Sequence, residues 1–484
     1  MRIAIVHYHL KRGGVTRVVE NTVPSLLNHG HEVVILASDA SGLGGDFPAP
    51  VRKVPELAYQ TGSHRVALDV LEDSLREQAL SALGQGPDVW HIHNHHLAKN
   101  TTLTRLVAKL AEDGERLLLH IHDFPEDGRA GNYDVLRTDL GSEEQLRRYL
   151  YPVAPTVYYG LLNRRDVGAM IAAGVPEDRI RLLPNPIVGA KATREVTPLP
   201  EIEADRLFLY PTRAIRRKNL GEFLLWAAMA NSGDKFACTL APDNPTARPM
   251  YDRWVQFADE LKLPVEFELG NRTSASFEDL VAGSDGLLTT SVAEGFGLAY
   301  LEPWLFNRRL VGRNLPLITS DFVEAGVDLD GLYDLLAIPL EWLDTVSLKR
   351  ELSVALTRVY QQYGVPLDPD LVEATWFGMT REGQIDFGRL PEGFQETVIR
   401  RVMLNPGAVD TIQPSRLVQN IDATQIERNR TTIAEQFGVD GYYDRLNEIY
   451  QQLARATFSK PQWVDPDRVL KQFLNPAFFT FLRT

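Results

Sequence analysis

Short runs of continuous apolar residues recur through the first 300 positions, and most are followed by a stretch with helical spacing. "RIAIVHY" is such a run and reads as a buried strand, and "HEVVILAS", "DVWHIHN", "RLLLHIHD" and "TVYYGLL" read as further strands. Strands separated by helices imply βαβ units and a parallel sheet. Helices are expected over 15–30, ending at the natural stop Gly30, and near 64–84, 98–113 and 163–173. A second block repeats the alternation. Its strands are "RLFLYPT", "FACTLAP", "VEFELGN" and "DGLLTTS", with helices near 219–231, 248–262, 276–283 and 297–306. The stretch "GAKATREVTPLPEIEAD", 189–205, has no periodicity and two prolines, and reads as a linker.

The fold class is therefore α/β, with two Rossmann-like, doubly wound domains over 1–188 and 206–425. Residues 365–412 are rich in turn signals and read as an insertion in the second domain. Residues 426–484 are expected as C-terminal helices packing back on the first domain.

Composition narrows the function classes. A net charge of −13 argues against a general nucleic-acid binder and against broad docking on anionic lipid. No apolar run reaches the roughly 20 residues that span a bilayer. The lone cysteine, Cys238, excludes an intrachain disulfide framework and fits a reducing compartment. The start, "MRIAIVHY", is too short and polar-flanked for a signal peptide. A cytoplasmic protein without stable membrane association is expected. The sequence leaves its oligomeric state open.

In open α/β sheets, ligands bind beyond the carboxyl ends of the strands. Gly13 and Gly14 fall there after the first strand. Arg213, Arg216, Arg217 and Lys218 form a positive cluster beyond "RLFLYPT", and guanidinium forks and a lysine ammonium suit phosphate. In "SVAEGFGLAYLEPW", Glu294 is expected in a loop at a strand end and Glu302 further along a helix beginning near Gly297. Amides around Gly297 and Leu298 would meet a phosphate at the positive end of that helix, while carboxylates accept hydrogen bonds from vicinal hydroxyls. A diphosphate between two polyols is the shape of a nucleotide sugar.

These residues resemble a family. "EGFGLAYLE" resembles the E-x7-E motif of retaining GT-B glycosyltransferases, especially glycosyltransferase family 4. "TRAIRRKN" is similar to its Arg-x4-Lys element, "KRGGVTR" to its glycine loop, "HIHD" at 120–123 to its N-domain histidine, and "LLPNPI" to its Pro-Asn segment. The resemblance covers about residues 1–325 and implies two Rossmann-like domains facing across a cleft. It implies that Arg213 and Lys218 bind the donor diphosphate and stabilise the leaving phosphate. Glu294 would hold the donor sugar, Glu302 the ribose, and His122 would lie near donor sugar and acceptor. His122, Arg213, Lys218 and Glu294 are thus the catalytic candidates. Gly13, Gly14, Asn185, Gly295, Phe296, Gly297 and Leu298 complete the donor candidates with Arg213, Lys218, Glu294 and Glu302. Tyr8, His93, His95, His122 and Asp123 are the acceptor candidates, near His9 and the turn-rich stretch up to Tyr133.

The implied activity is transfer of a hexose from a nucleotide-diphosphate sugar to a hydroxyl of a small soluble acceptor, with configuration retained and with no metal or other cofactor. Thr212 stands where the family has glycine, Pro186–Gly189 replace its acidic residue, and 330–430 match no family element. Two other readings stand beside this one. "HIHNHH", 91–96, resembles the H-x-H-x-D-H element of binuclear metallohydrolases through His91, His93 and His96, with His95 where the aspartate belongs. A nucleotide-sugar epimerase would share the fold and need no acceptor.

Overall fold

A computed structural model of the protein describes residues 1–60, 65–141, 143–189, 199, 202–412 and 423–483. Most of the expected linker, 189–205, lies outside the described residues. The chain forms two compact units. Unit 1 is Met1–Val188 with Glu435–Asn475, and unit 2 is Gly189–Ala434 with Pro476–Thr484.

Unit 1 carries β1 (Arg2–Val6), β2 (Glu32–Ala37), β3 (Val51–Lys53), β4 (Val89–His93), β5 (Leu117–Ile121), β6 (Pro152–Val153), β7 (Val157–Leu161) and β8 (Ile180–Leu182). All but β6 form one parallel sheet in the order β3-β2-β1-β4-β5-β7-β8. The continuous apolar runs are explained by this sheet. Ile3, Ala4, Val34, Ile35, Leu118 and Leu119 are each 0% exposed, and burying one such aliphatic side chain contributes roughly 1.5–3 kcal/mol. The helix Gly14–Asn28 accommodates Pro24 without a break, and the chain turns away at Gly30, which has φ 79°. The helix Val439–Arg455 buries Tyr442, Tyr443, Leu446, Ile449, Tyr450 and Leu453, a helical stripe, in the same core as Ile3, Ile5 and Val18.

Unit 2 carries β9 (Arg206–Arg213), β10 (Asp234–Leu240), β11 (Val265–Glu266), β12 (Gly286–Thr289) and β13 (Arg309–Gly312), all parallel in the order β11-β10-β9-β12-β13. The strand expected in "VEFELGN" is cut to two residues, because a short helix begins at Leu269. The segment 365–412 is more regular than its turn signals suggest. It holds the helices Asp370–Met379 and Glu392–Leu404 and two strands of a small antiparallel sheet made by β14 (Ala337–Pro339), β15 (Thr380–Arg381) and β16 (Gln384–Asp386).

Strand order reverses beside β1 and β4 in unit 1, and beside β9 and β12 in unit 2. These are the topological switch points where a parallel sheet leaves a crevice for ligands. Tyr8, Gly13 and Gly14 follow β1, His93 ends β4, Arg213 ends β9 and Glu294 follows β12, while His122 and Asp123 follow β5 and Asn185 follows β8.

Candidate active site

In unit 2 the chain leaves β9 through a 3-10 turn, Arg216–Lys218. Asn219 then adopts a left-handed conformation, φ 54°, and opens the helix Leu220–Ala228. Asparagine tolerates that conformation because its short polar side chain bonds locally. Here Asn219 Nδ2 donates to Glu222 Oε2 at 2.8 Å, and Gln395 Nε2 donates to Asn219 Oδ1 at 2.9 Å. The turn is stitched to the end of β12. Val292 N donates to Arg217 O at 3.0 Å, Thr290 Oγ1 to Lys218 O at 2.9 Å, and Tyr210 OH to Lys218 O at 3.0 Å.

This backbone lattice sets Lys218 and Arg217 against Glu294. Lys218 Nζ pairs with Glu294 Oε1, and Arg217 Nη1 donates to Glu294 Oε2 at 3.0 Å and to Ala293 O at 2.5 Å. The Glu294 side chain is 9% exposed. Burial alone would raise its carboxyl pKa, but Lys218 and Arg217 outweigh burial and hold it below the ordinary value. Glu294 is therefore a carboxylate at neutral pH. Lys218 has three N–H donors, so its bond to Glu294 leaves donors for a further oxygen.

Behind this turn lies an acid–base group with no motif in the sequence. Arg313 Nε donates to Glu222 Oε1 at 2.8 Å, Tyr333 OH donates to the same oxygen at 2.7 Å, and Arg313 Nη1 meets Asp386 Oδ2 at 2.8 Å. The Arg313 and Glu222 side chains are 4% and 0% exposed. Removing one partner of such a pair costs about 3–5 kcal/mol, because the other charge stays buried. The group fixes Glu222, hence Asn219, hence the turn that carries Lys218.

Arg213 takes a different place from Lys218. It pairs with Asp243, and the two side chains are 48% and 79% exposed. The helix expected over 297–306 is also corrected. Residues Leu298–Tyr300 form one 3-10 turn, Leu301 interrupts, and Glu302–Leu305 form a four-residue helix. Gly297 lies at φ 95°, and a Cβ there would stand 2.9 Å from Ile318 Cγ2 and 3.2 Å from Tyr300 Cδ2, so only glycine fits. Pro303 then starts the short helix, since proline suits a first turn. So short an element supplies little dipole, and the phosphate-holding helix start at Gly297 and Leu298 is not formed. Gly295 and Leu298 are half-buried in the loop, Phe296 is buried edge-on against Phe322, and Glu302 is half-buried as the first helical residue.

In unit 1, Gly13 caps the helix Gly14–Asn28 in an extended conformation, and no atom stands within 4 Å of a Cβ built on Gly14. The loop 10–14 is braced by a residue without a motif, Gly42, where a Cβ would fall 2.5 Å from Arg12 N. Tyr8 is buried and donates to Asn94 O at 2.6 Å. Asn185 is 8% exposed, and its Oδ1 has no partner among the described residues.

The histidines form a buried stack. His93 Nδ1 lies 2.8 Å from His122 Nε2, His91 Nε2 lies 3.2 Å from His120 Nδ1, and His91 Nδ1 lies 2.8 Å from Tyr450 OH. Desolvation pushes His91 and His122 down to about 3 and His95 to about 4, so these rings are neutral at physiological pH. His95 belongs elsewhere, with Nε2 2.9 Å from Leu150 O, and His96 stacks beside it against Phe124 and Tyr151. The H-x-H-x-D-H constellation is therefore not assembled. The histidines that could share an ion are instead His91, His93 and His120, with one nitrogen from each within 4.8 Å of the others. Asp123 pairs with Arg129 at the rim. Nearby Glu126 is buried, its carboxyl pushed up to about 8 by burial, and it accepts from Tyr151 OH at 2.9 Å.

Residues 13–186 match the family model of the glycosyl transferase 4-like domain. The mannosylglucosyl-3-phosphoglycerate synthase of Petrotoga mobilis is 27% identical over 348 residues, 66% of either chain, so the match spans just under two thirds of that synthase. Among solved structures, Anabaena HepE in complex with UDP-glucose aligns with a TM-score of 0.53 at 14% identity, over 93% of this chain and 99% of its own. Sucrose-phosphate synthase of Thermosynechococcus elongatus aligns at 0.50 and 12% identity, over 94% and 99%. The fold is GT-B, with a match to the glycosyl transferase 4-like domain over residues 13–186. The expected donor residues divide between the units. Arg213, Lys218, Glu294 and Glu302 lie in unit 2, and Gly13, Gly14 and Asn185 in unit 1. Arg217 was visible only as one of a basic run, and Asn219, Glu222 and Arg313 carried no signal.

Proposed function

We propose that the protein is a retaining glycosyltransferase that moves a hexose from a nucleotide-diphosphate sugar to a hydroxyl of a small soluble acceptor, without a metal. The observation that carries the reading is the assembly of Lys218, Arg217 and ionised Glu294 at the end of β12. It offers cationic donors for a diphosphate and, beside them, a carboxylate for sugar hydroxyls. Unit 1 supplies the acceptor side through neutral imidazoles and Tyr8, groups that bind hydroxyls without adding charge.

In the step itself the acceptor oxygen forms a bond to the anomeric carbon on the face from which the diphosphate departs. The bond from that carbon to the phosphate oxygen breaks, and the acceptor proton passes to the departing phosphate. Lys218 stabilises the negative charge that grows on the leaving group, the kind of electrostatic aid that dominates when no side-chain nucleophile is used. His122, neutral and close to His93, positions the acceptor. The Petrotoga synthase is named for a small phosphorylated glycoside, which supports a small acceptor.

A panel of nucleotide sugars, read by the shift in melting temperature and then by turnover with and without EDTA, tests the reading. A shift with one donor class and turnover unchanged by EDTA are expected. Activity lost with EDTA and restored by a divalent ion would transfer the chemistry to His91, His93 and His120.

A further inference from the structure

The rim of unit 1 contains a cation whose position is built with care and whose counter-ion is not among the described residues. The backbone after β4 passes through Asn94 and Ala98 with φ 52° and 58°, a conformation that non-glycine residues keep only where their surroundings impose it. The surroundings do so here. Asn94 Oδ1 accepts from His122 N at 2.7 Å, and Asn132 Nδ2 donates to Leu97 O at 2.8 Å. Asn100 Nδ2 donates to Glu56 O at 2.7 Å and Ala58 O at 3.0 Å, and Gln60 N donates to Lys99 O at 2.8 Å. Three loops at the carboxyl ends of the strands are thereby tied into one frame.

That frame holds Lys99 half-buried, with Nζ 5.5 Å from the centre of the Tyr59 ring. Tyr59 in turn stands against His9 at 4.8 Å and Tyr8 at 5.6 Å. Among the described residues no carboxylate pairs with Lys99. Burial, then Arg129, lower its pKa, although Arg129 is itself paired with Asp123. A lysine is seldom withdrawn from water without a partner. An oxyanion from outside would complete it.

We propose that Lys99, held over Tyr59 by this frame, is an oxyanion subsite that takes a phosphate or carboxylate carried by the acceptor. The proposal rests on the reading of unit 1 as the acceptor side. An acceptor bearing only hydroxyls would find its needs met by Tyr8 and the imidazoles, and would gain nothing from Lys99.

The test is calorimetric titration of the full chain with inorganic phosphate and, separately, with acetate, for the parent, Lys99→Gln, Lys99→Arg and Lys218→Ala. Lys99→Gln should weaken binding of one or both anions about tenfold or more, as removal of one charge-assisted hydrogen bond would. Lys99→Arg should restore most of it, and nucleoside diphosphate binding should be unchanged in both. Loss for phosphate alone assigns a phosphate group, and loss for both anions assigns a carboxylate-tolerant site. If Lys99→Gln binds both anions as the parent does, the subsite is refuted. If no nucleoside diphosphate binds the parent, the transferase reading fails, and the Lys99 comparison still stands on its own result.

Discussion

Glu294 and His93 occupy corresponding places, one in the loop that follows β12, the other at the end of β4, each beside a switch point of its sheet. Their surroundings differ in kind. Glu294 is charged and gripped by Lys218 and Arg217. His93 is neutral, its ring within 6.0 Å of the rings of His7, His91, His120 and His122. The same sheet geometry thus presents a preorganised charge array in one unit and an uncharged polar floor in the other. A diphosphate needs the first. In the proposed reaction, a hydroxyl that loses its proton only as the leaving group departs is served by the second.

The comparison breaks most readily at Lys218. Lys218→Ala removes the cation nearest Glu294 and leaves a mostly buried carboxylate with Arg217 as its remaining ion-pair partner among the described residues. A fall of about a hundredfold or more in kcat/KM is expected, because the ammonium's charge-assisted bond to Glu294 and the one proposed to the diphosphate disappear together. Steady-state kinetics with the preferred donor provides the check, and a near-parental value would remove the diphosphate from this turn.

Acid should separate the two units next. The buried histidines have folded pKa values below the ordinary 6.5, with His7, His91 and His122 at about 3. As pH falls below about 6.5 the unfolded chain gains protons that the folded chain refuses, so unit 1 loses stability, at up to roughly 1.4 kcal/mol per histidine per pH unit. Glu126, between about 8 and its ordinary 4.5, and Asp166, between about 6 and its ordinary 3.8, act in the opposite sense, two groups against several. Glu294, with a lowered pKa, gives stability that is lost only below the ordinary carboxylate value of 4.5. Limited proteolysis at pH 5.5 should therefore cut unit 1 before unit 2, with no such order at pH 7.5. Cleavage of unit 2 first would contradict the assignment of charge.

The smallest effect is expected at Arg213. Its pair with Asp243 is solvent-exposed, and such pairs contribute about 0.2–1 kcal/mol. Arg213→Ala should raise donor KM less than tenfold. A loss as large as that of Lys218→Ala would mean that Arg213 leaves Asp243 to hold the donor.

Much of the fold was legible because buried parallel strands keep short apolar runs between helices, as "IAIV", "LLL" and "GLL" do in β1, β5 and β12. β3, β8 and β13 escaped, since three or four residues flanked by charge, as in "RRLVG", give no periodicity. The interruption of the helix over 297–306 was not legible, because spacing does not reveal the φ 95° of Gly297, and Pro303 is as compatible with a helix start as with an interior kink. In the site, Lys218 and Glu294 were legible by their neighbours in sequence. Lys99, Tyr59 and the Glu222–Arg313 pair were not, because hydrogen bonds between distant loops bring them together and no local pattern records that.

The proposed function gives Glu294 to the transferred sugar, and we propose Glu302 for the nucleotide. Calorimetry and kinetics of Glu294→Gln and Glu302→Gln test it most directly, with nucleoside diphosphate and nucleotide sugar as paired ligands. Interactions at the reacting sugar strengthen as charge develops, whereas those to the nucleotide are made equally in ground and transition states. Glu294→Gln should lower kcat and leave nucleoside diphosphate affinity near the parent's, while Glu302→Gln should weaken nucleoside diphosphate binding and raise donor KM. Loss of nucleoside diphosphate affinity in Glu294→Gln alone would reverse the two assignments, and parental behaviour in both variants would contradict the account.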